Sequence, residues 1–209
     1  MDAEAGAGDL KLLGAWASPF VLRVRVALHL KGLHYEYVEE DLADKSELLL
    51  ASNPVHKKVP VLLHGGRPVS ESLVILEYLD DAFPAAGPAF IPADPYERAV
   101  ARFWAAYIDG EVSAELVAGD RGTEEKKAEA AARTLATLDA LEGALGNAEH
   151  RTGGKGWFVD LALGGFVPAI QASEPTTGLR IVDPGRVPRL AAWVDRFCAL
   201  KVNTAVIGL

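Results

Sequence analysis

The stretch Leu10-Lys11-Leu12-Leu13-Gly14-Ala15-Trp16-Ala17-Ser18-Pro19-Phe20-Val21-Leu22-Arg23-Val24-Arg25 opens on an apolar run and then turns at Gly14 into a serine–proline pair. The run reads as a short strand. Ser18 suits the cap of a helix and Pro19 its first turn, where a missing N–H is harmless. Apolar positions keep a helical spread from Pro19 to Leu30, and Gly32 suits the residue after the helix end. At the Ser18 corner the unpaired amides and the helix dipole both favour a negative atom. On these residues alone Ser18 is either a plain cap or the edge of an anion site.

Working outward, Tyr35–Glu39 reads as a second strand, and Asp41–Asn53 as a loop with a short helix capped by Ser46. The runs Val59–His64 and Arg67–Val69 flank Gly65-Gly66, a dipeptide suited to a tight antiparallel hairpin. A helix begins near Glu71-Ser72 and runs to Ala82. The order is β-α-β-α-β-β-α. Pro84, Gly87, Pro88, Pro92 and Pro95 then crowd a passage where neither helix nor strand persists. That passage predicts a first domain over residues 1–83, a linker over 84–94 and an all-helical domain over 95–209.

In the second domain a long helix from Pro95 to about Ala118 carries Val100, Phe103, Trp104, Tyr107, Ile108 and Val112 on one apolar face. A charged loop follows at Asp120–Lys127. A second long helix places Ala131, Leu135, Leu138, Leu141 or Glu142, and Leu145 at helical spacing until Gly153-Gly154-Lys155-Gly156 breaks it. Asp160–Glu174 reads as one buried helix, made irregular by Gly164-Gly165 and Pro168, and Val187–Lys201 as the last.

Of the 209 residues, 50% are hydrophobic and 24% charged, which fits a globular chain with a sizeable core. The net charge of −8 argues against general binding to nucleic acid or an anionic membrane, so an anionic ligand requires a local basic pocket. Cys198 is the single cysteine, so no intrachain disulfide forms and a reducing compartment is expected; the residue itself suits a small buried hydrophobe. No metal-ligand cluster, secretory leader or membrane-length apolar run stands out, and the cytoplasm is the expected location.

Four motifs taken together are specific: Ser18-Pro19-Phe20; Glu39-Glu40-Asp41-Leu42 leading to Lys45-Ser46; Asn53-Pro54-Val55-His56-Lys57-Lys58-Val59-Pro60-Val61-Leu62; and Glu71-Ser72. Over residues 10–110 the chain resembles the soluble glutathione transferases, and within them the plant tau class. The resemblance implies a thioredoxin-like first domain, a homodimer in which the first helix of the helical domain packs on the partner's thioredoxin-like domain, and a role in detoxification and stress response. Glutathione enters as a co-substrate, with no cofactor and no metal.

The tripeptide carries two carboxylates, one ammonium and one thiol, and the motif residues supply complementary groups. Lys45 and Lys58, otherwise two solvated lysines, would meet the glycyl carboxylate. Val59, held extended before Pro60, would pair with the cysteinyl backbone like an added strand; in the family the bond before that proline is cis. Glu71 would take the ammonium, and Ser72 with its helix N-terminus the γ-glutamyl carboxylate. Ser18 would donate its hydroxyl to the sulfur and favour thiolate, without itself being the nucleophile. Arg23 and Asp109 would join Glu71 and Ser72 in a supporting network; read alone, Arg23 is a solvated helix charge and Asp109 a cap or interface residue. Phe20, Ser113 and Val117 are the expected contacts of the hydrophobic electrophile, and Trp104 and Tyr107 suit the core.

No G-x-S-x-G elbow surrounds Ser18, which argues against the hydrolase role for it, and thiol-transfer reactions of this fold need cysteine at that position. The chain departs from the tau pattern where Gly156-Trp157 runs directly into Phe158-Val159-Asp160: the loop is short, and Trp157 stands where a small capping residue is expected. The end at Leu209 is early, and Ala169 replaces an expected aromatic. These departures give the alternative reading, a non-catalytic carrier of hydrophobic small molecules on the same fold.

Overall fold

A computed structural model of the chain describes residues 9–121, 123–147, 157–177 and 180–200. Its centre is β1 (Leu10–Gly14), which runs parallel to β2 (Glu36–Glu39) on one side and antiparallel to β3 (Val61–His64) on the other. The strand β4 (Arg67–Ser70) completes the order β2-β1-β3-β4. Gly65 and Gly66 join β3 to β4 at φ +56° and +73°, the paired left-handed turn that a two-residue hairpin needs. Pro68 lies on the edge strand, where its missing N–H removes no bond from the sheet interior.

Side chains alternate across this sheet. Leu12 and Leu62 face the main core, shared with α1 (Pro19–Leu30) and α3 (Ser72–Ala82). Leu13, Val61 and Leu63 point the other way and receive Leu49 of α2 (Glu47–Ser52). The end of α1 shows why Gly32 stands there: with φ +64° it lets its own N–H reach the His29 carbonyl (3.0 Å) and the Leu33 N–H reach that of Leu28 (2.9 Å).

The proline-rich passage after α3 is held tightly. Lys31, 4% exposed, pairs with Asp80 (2.9 Å) and donates to the carbonyls of Ala86 and Pro88 at 3.1 and 3.2 Å. Asp80 in turn accepts the N–H groups of Phe90 and Ile91. A buried ammonium is tolerable only with such a full set of partners.

The helical half comprises α4 (Pro95–Arg121), α5 (Glu124–Asn147), α6 (Phe158–Gly164), α7 (Val167–Thr177) and α8 (Pro188–Cys198). Three expectations change. The charged stretch expected as a loop over Asp120–Lys127 is mostly helical, because Glu, Lys and Ala are strong helix formers. The face of α4 that enters the core is Ala101, Ala105, Ile108 and Val112, small enough to let α5 and α6 approach; Phe103 is 61% exposed, Tyr107 lies outside the core, and Trp104 packs partly against it. The single helix expected at Asp160–Glu174 is two, α6 and α7, parted at Gly165-Phe166. The Gly153–Gly156 break and the chain beyond Leu200 lie outside the described residues.

Trp157 sits at the cap of α6 and makes no side-chain cap bond, as expected of it. The carbonyl of Phe90 accepts the Phe158 N–H instead (3.0 Å), so the linker satisfies part of the helix start. Asp160, in the first turn, accepts from the indole N–H of Trp193. Burial raises its carboxyl to about 6, against the lowering effect of Trp193 and Arg196. A carboxyl with a raised folded-state pKa contributes its stability fully below the unfolded value and loses it as pH climbs through about 6. Urea unfolding across pH 4–8 is therefore expected to show a decline through that window, and Asp160→Asn to flatten it and to be the more stable protein above pH 6.

Candidate functional site

Strand pairing brings four connections to one edge of the sheet. Gly14 is opposite Glu39, Leu13 opposite Val61, and Val61 opposite Ser70. The chain therefore leaves β1 toward Ser18, leaves β2 toward Lys45, enters β3 from Lys58-Val59 and leaves β4 toward Glu71-Ser72, all at the same edge.

Ser18 occupies the N-cap of α1 in extended conformation, and its N–H donates to the Ala15 carbonyl (2.9 Å). Its Oγ accepts the Val21 N–H at a long 3.4 Å. Among the described residues the hydroxyl donates to no protein acceptor, leaving its hydrogen for an incoming group. The preceding turn is tied to β2 through Glu39, which accepts the Trp16 N–H (3.1 Å) and the Tyr37 hydroxyl (2.7 Å). Burial and then Glu39 raise the Tyr37 hydroxyl well above its ordinary range, so it stays a proton donor.

One turn further, Arg23 is fully buried. Its Nη2 donates to Asp109 Oδ1 (2.7 Å) and to the Ala162 carbonyl (2.7 Å); its Nη1 donates to Asp109 Oδ2 (3.0 Å) and Ser72 Oγ (3.0 Å). The arginine thus orients Ser72 at the start of α3 while gripping α4 and α6. Glu71, expected in the same network, is not bonded into it: its side chain is exposed and makes no cap bond. Its φ of +74° is a costly conformation for a residue with a Cβ, of the kind that persists at binding sites.

Lys45 and Lys58 carry no ion pair among the described residues, so both charges are available. Asn53, 4% exposed, holds the second by donating from Nδ2 to the Lys58 carbonyl (3.0 Å) while its Oδ1 accepts the His56 N–H (3.1 Å). The Val59–Pro60 peptide is cis, and the Val59 side chain is partly buried against the core.

Phe20 packs edge-to-face on Phe166 (5.4 Å between centroids), and the Arg23 guanidinium lies over both rings. The side chains of Ser113 and Val117 lie outside the described residues. A cavity of about 150 Å³ sits elsewhere, among Leu138, Leu163, Val167, Ile170 and Trp193, and contains none of the expected site residues. Cys198 is half-buried, and burial pushes its thiol above the ordinary cysteine range. Among the described residues, no three His, Cys, Asp or Glu are grouped to hold a metal, and no helix is long and apolar enough to cross a membrane.

The family model described as the glutathione S-transferase N-terminal domain matches residues 8–81. A probable glutathione S-transferase, GSTU6, of Oryza sativa subsp. japonica is 53% identical over 97% of this chain and 90% of its own. The chain belongs to the tau class of glutathione S-transferases. Its backbone also matches the tau-class enzyme of mango, Mangifera indica, with a TM-score of 0.88 at 41% identity, covering 96% of this chain and 93% of that one. The rice transferase GST1, solved in complex with glutathione, matches with a TM-score of 0.87 at 45% identity, covering 94% and 89%.

Three residues of this tau transferase that shape the site carried no role in the sequence reading. Glu39 and Asn53 were visible only as parts of motifs, since their bonds reach loops that only the fold brings near. Gly165 was visible as an irregularity in a helix. A Cβ there would lie 2.3 Å from the Pro19 carbonyl oxygen and 3.3 Å from Arg23 Cβ, so its bare backbone is what lets the α6–α7 junction rest on the start of α1. In this transferase Gly165→Ala is expected to cost about 1–3 kcal/mol by overpacking, and to lower turnover at saturating substrate; thermal unfolding and conjugation rates check both.

Proposed function

We propose that the chain binds reduced glutathione across the shared sheet edge, and that the Ser18 hydroxyl stabilises its thiolate for attack on a hydrophobic electrophile. The observation that carries this reading is the convergence of the four connections. It gathers two unpaired lysines, a buried serine at a helix start, an exposed carboxylate and a free hydroxyl where one tripeptide offers two carboxylates, an ammonium and a thiol. Lys45 and Lys58 take the glycyl carboxylate, the Val59 backbone pairs with the cysteinyl unit, Glu71 takes the ammonium, and Ser72 with the α3 N-terminus takes the other carboxylate. The rice relative's complex with glutathione supports the assignment of the ligand.

Chemistry then rests on the sulfur. A free thiol titrates near pH ~8.5, and depressing it by about two units requires roughly 2.7 kcal/mol of preferential thiolate stabilisation. One hydroxyl donating to a thiolate supplies about 1.5–3 kcal/mol, helped by the amides at the α1 start. The thiol proton passes to solvent, the sulfur forms a bond to the electrophilic carbon, and a leaving group such as halide departs with its electron pair. Phe20, Ser113 and Val117 are the contacts we assign to the electrophile, and the single cysteine suits work in the cytoplasm.

We also infer a homodimer formed through α3 and α4. Val74 and Phe103 are exposed large apolar residues, Phe103 stacks on Tyr107 and meets Trp104 edge-to-face, and Arg102 bridges to Glu77 to set the two helices side by side.

Ser18→Ala is expected to lower kcat/KM for conjugation of an aryl halide by about 10- to 100-fold, the equivalent of one charge-assisted bond, with glutathione KM nearly unchanged. An unaltered rate would remove Ser18 from the mechanism. Light scattering of the native protein is expected to give twice the 22.2 kDa chain mass, and Phe103→Glu to reduce it to one.

A further inference from the structure

Glu40 follows β2 directly and is 4% exposed. A carboxylate taken out of water needs strong donors, and Glu40 finds both of its own on one residue. Its Oε1 accepts the Ser46 hydroxyl (2.7 Å) and its Oε2 accepts the Ser46 N–H (3.2 Å). Its own N–H donates to the Gly14 carbonyl (2.7 Å), fixing it to the end of β1. Ser46 is used twice more: its Oγ accepts the Leu49 N–H (3.0 Å) as the cap of α2, and its carbonyl accepts the Leu50 N–H (3.1 Å).

The consequence falls on Lys45, the residue just before Ser46. Between Glu40 and Ser46 the chain makes a small exposed turn, in which Asp41 Oδ1 accepts the Ala43 N–H (2.8 Å) and the Asp41 carbonyl the Asp44 N–H (3.2 Å). Beyond it, α2 is joined to the sheet through one fully buried side chain, Leu49. The Glu40 carboxylate closes this loop onto the sheet edge at the point where Lys45 emerges.

We propose that Glu40 is a positioning residue for glutathione: through its two bonds to Ser46 it holds the Lys45 backbone in place, so that the lysine need not be ordered when the glycyl carboxylate arrives. This rests on the reading of Lys45 as a glutathione contact. Glu40 acts on binding and leaves the thiolate step alone, because the Ser18 corner is held separately by Glu39 and by the Arg23 bonds. Glu40→Gln keeps the size and removes one charge-assisted acceptor, since an amide nitrogen cannot accept from Ser46.

The test is steady-state conjugation with glutathione and electrophile varied separately, in Glu40→Gln, Lys45→Ala and the double variant. Glu40→Gln is expected to raise glutathione KM about five- to tenfold, with kcat and electrophile KM within twofold of the parent. In the Lys45→Ala background the same substitution is expected to add less than about twofold, because the residue it acts through is gone. Ser46→Thr, which keeps the hydroxyl, is expected to retain the parent KM, and Ser46→Ala to raise it. If Lys45→Ala raises KM and Glu40→Gln does not, the positioning role is overturned while the glutathione assignment stands. An equal effect of Glu40→Gln with and without Lys45 overturns it too, showing a general loosening of the loop. An unchanged KM in Lys45→Ala overturns the lysine's role and this inference with it.

Discussion

A guanidinium with no exposed surface is the constraint on which the rest depends. Arg23 cannot be buried without partners, because an uncompensated charge in a protein interior costs several kcal/mol. Its partners come from three other elements: the fork of Asp109 on α4, the carbonyl of Ala162 on α6 and the hydroxyl of Ser72 on α3. The helical half is thereby fastened to α1 within a turn and a half of Ser18, and Ser72 is oriented by the same group. Fold and site are thus satisfied by one set of bonds. Phe20 and Phe166 close over the guanidinium and exclude the water that would compete for it.

The same economy governs the sheet edge. Mixed pairing of β1 with β2 and β3 sends four loops to one side, and each loop is held by its own polar anchor. Glu39 ties the turn before Ser18, Glu40 the loop before α2, Asn53 the loop before β3, and Arg23 the start of α3. The groups assigned to the ligand are left without strong internal partners: a hydroxyl with a spare hydrogen, two unpaired lysines and an exposed glutamate in a left-handed conformation. Anchors bonded within the protein and contacts left open to the ligand is what a preorganised binding edge requires.

Local chemistry was legible in the residues. Ser18-Pro19 and Ser46 cap the helices they precede, Gly32 ends α1, and Gly65-Gly66 turns the hairpin, each because a single residue's conformational preference decides the matter. The glutathione set was legible as a family pattern matched to the charges of a tripeptide. The core face of α4 was legible at Ile108 and Val112 and misread at Phe103 and Tyr107, because large aromatics suggest burial, whereas two alanines were what close helix packing needed there. Gly164-Gly165 and Pro168 marked the passage between α6 and α7 as irregular, but the close approach of Gly165 to Pro19 joins residues far apart in the chain and no local pattern carries it. Glu71's absence from the Arg23 network and the role of Phe90 in starting α6 likewise depend on tertiary contacts that no local pattern carries.

The central claim is that this edge lowers the pKa of glutathione's thiol through the Ser18 hydroxyl and the α1 start. Thiolate absorbance of bound glutathione, followed against pH with the native protein, tests it most directly. The account predicts half-ionisation about two units below the free thiol's value of ~8.5. Half-ionisation at the free value, with glutathione demonstrably bound, would contradict it.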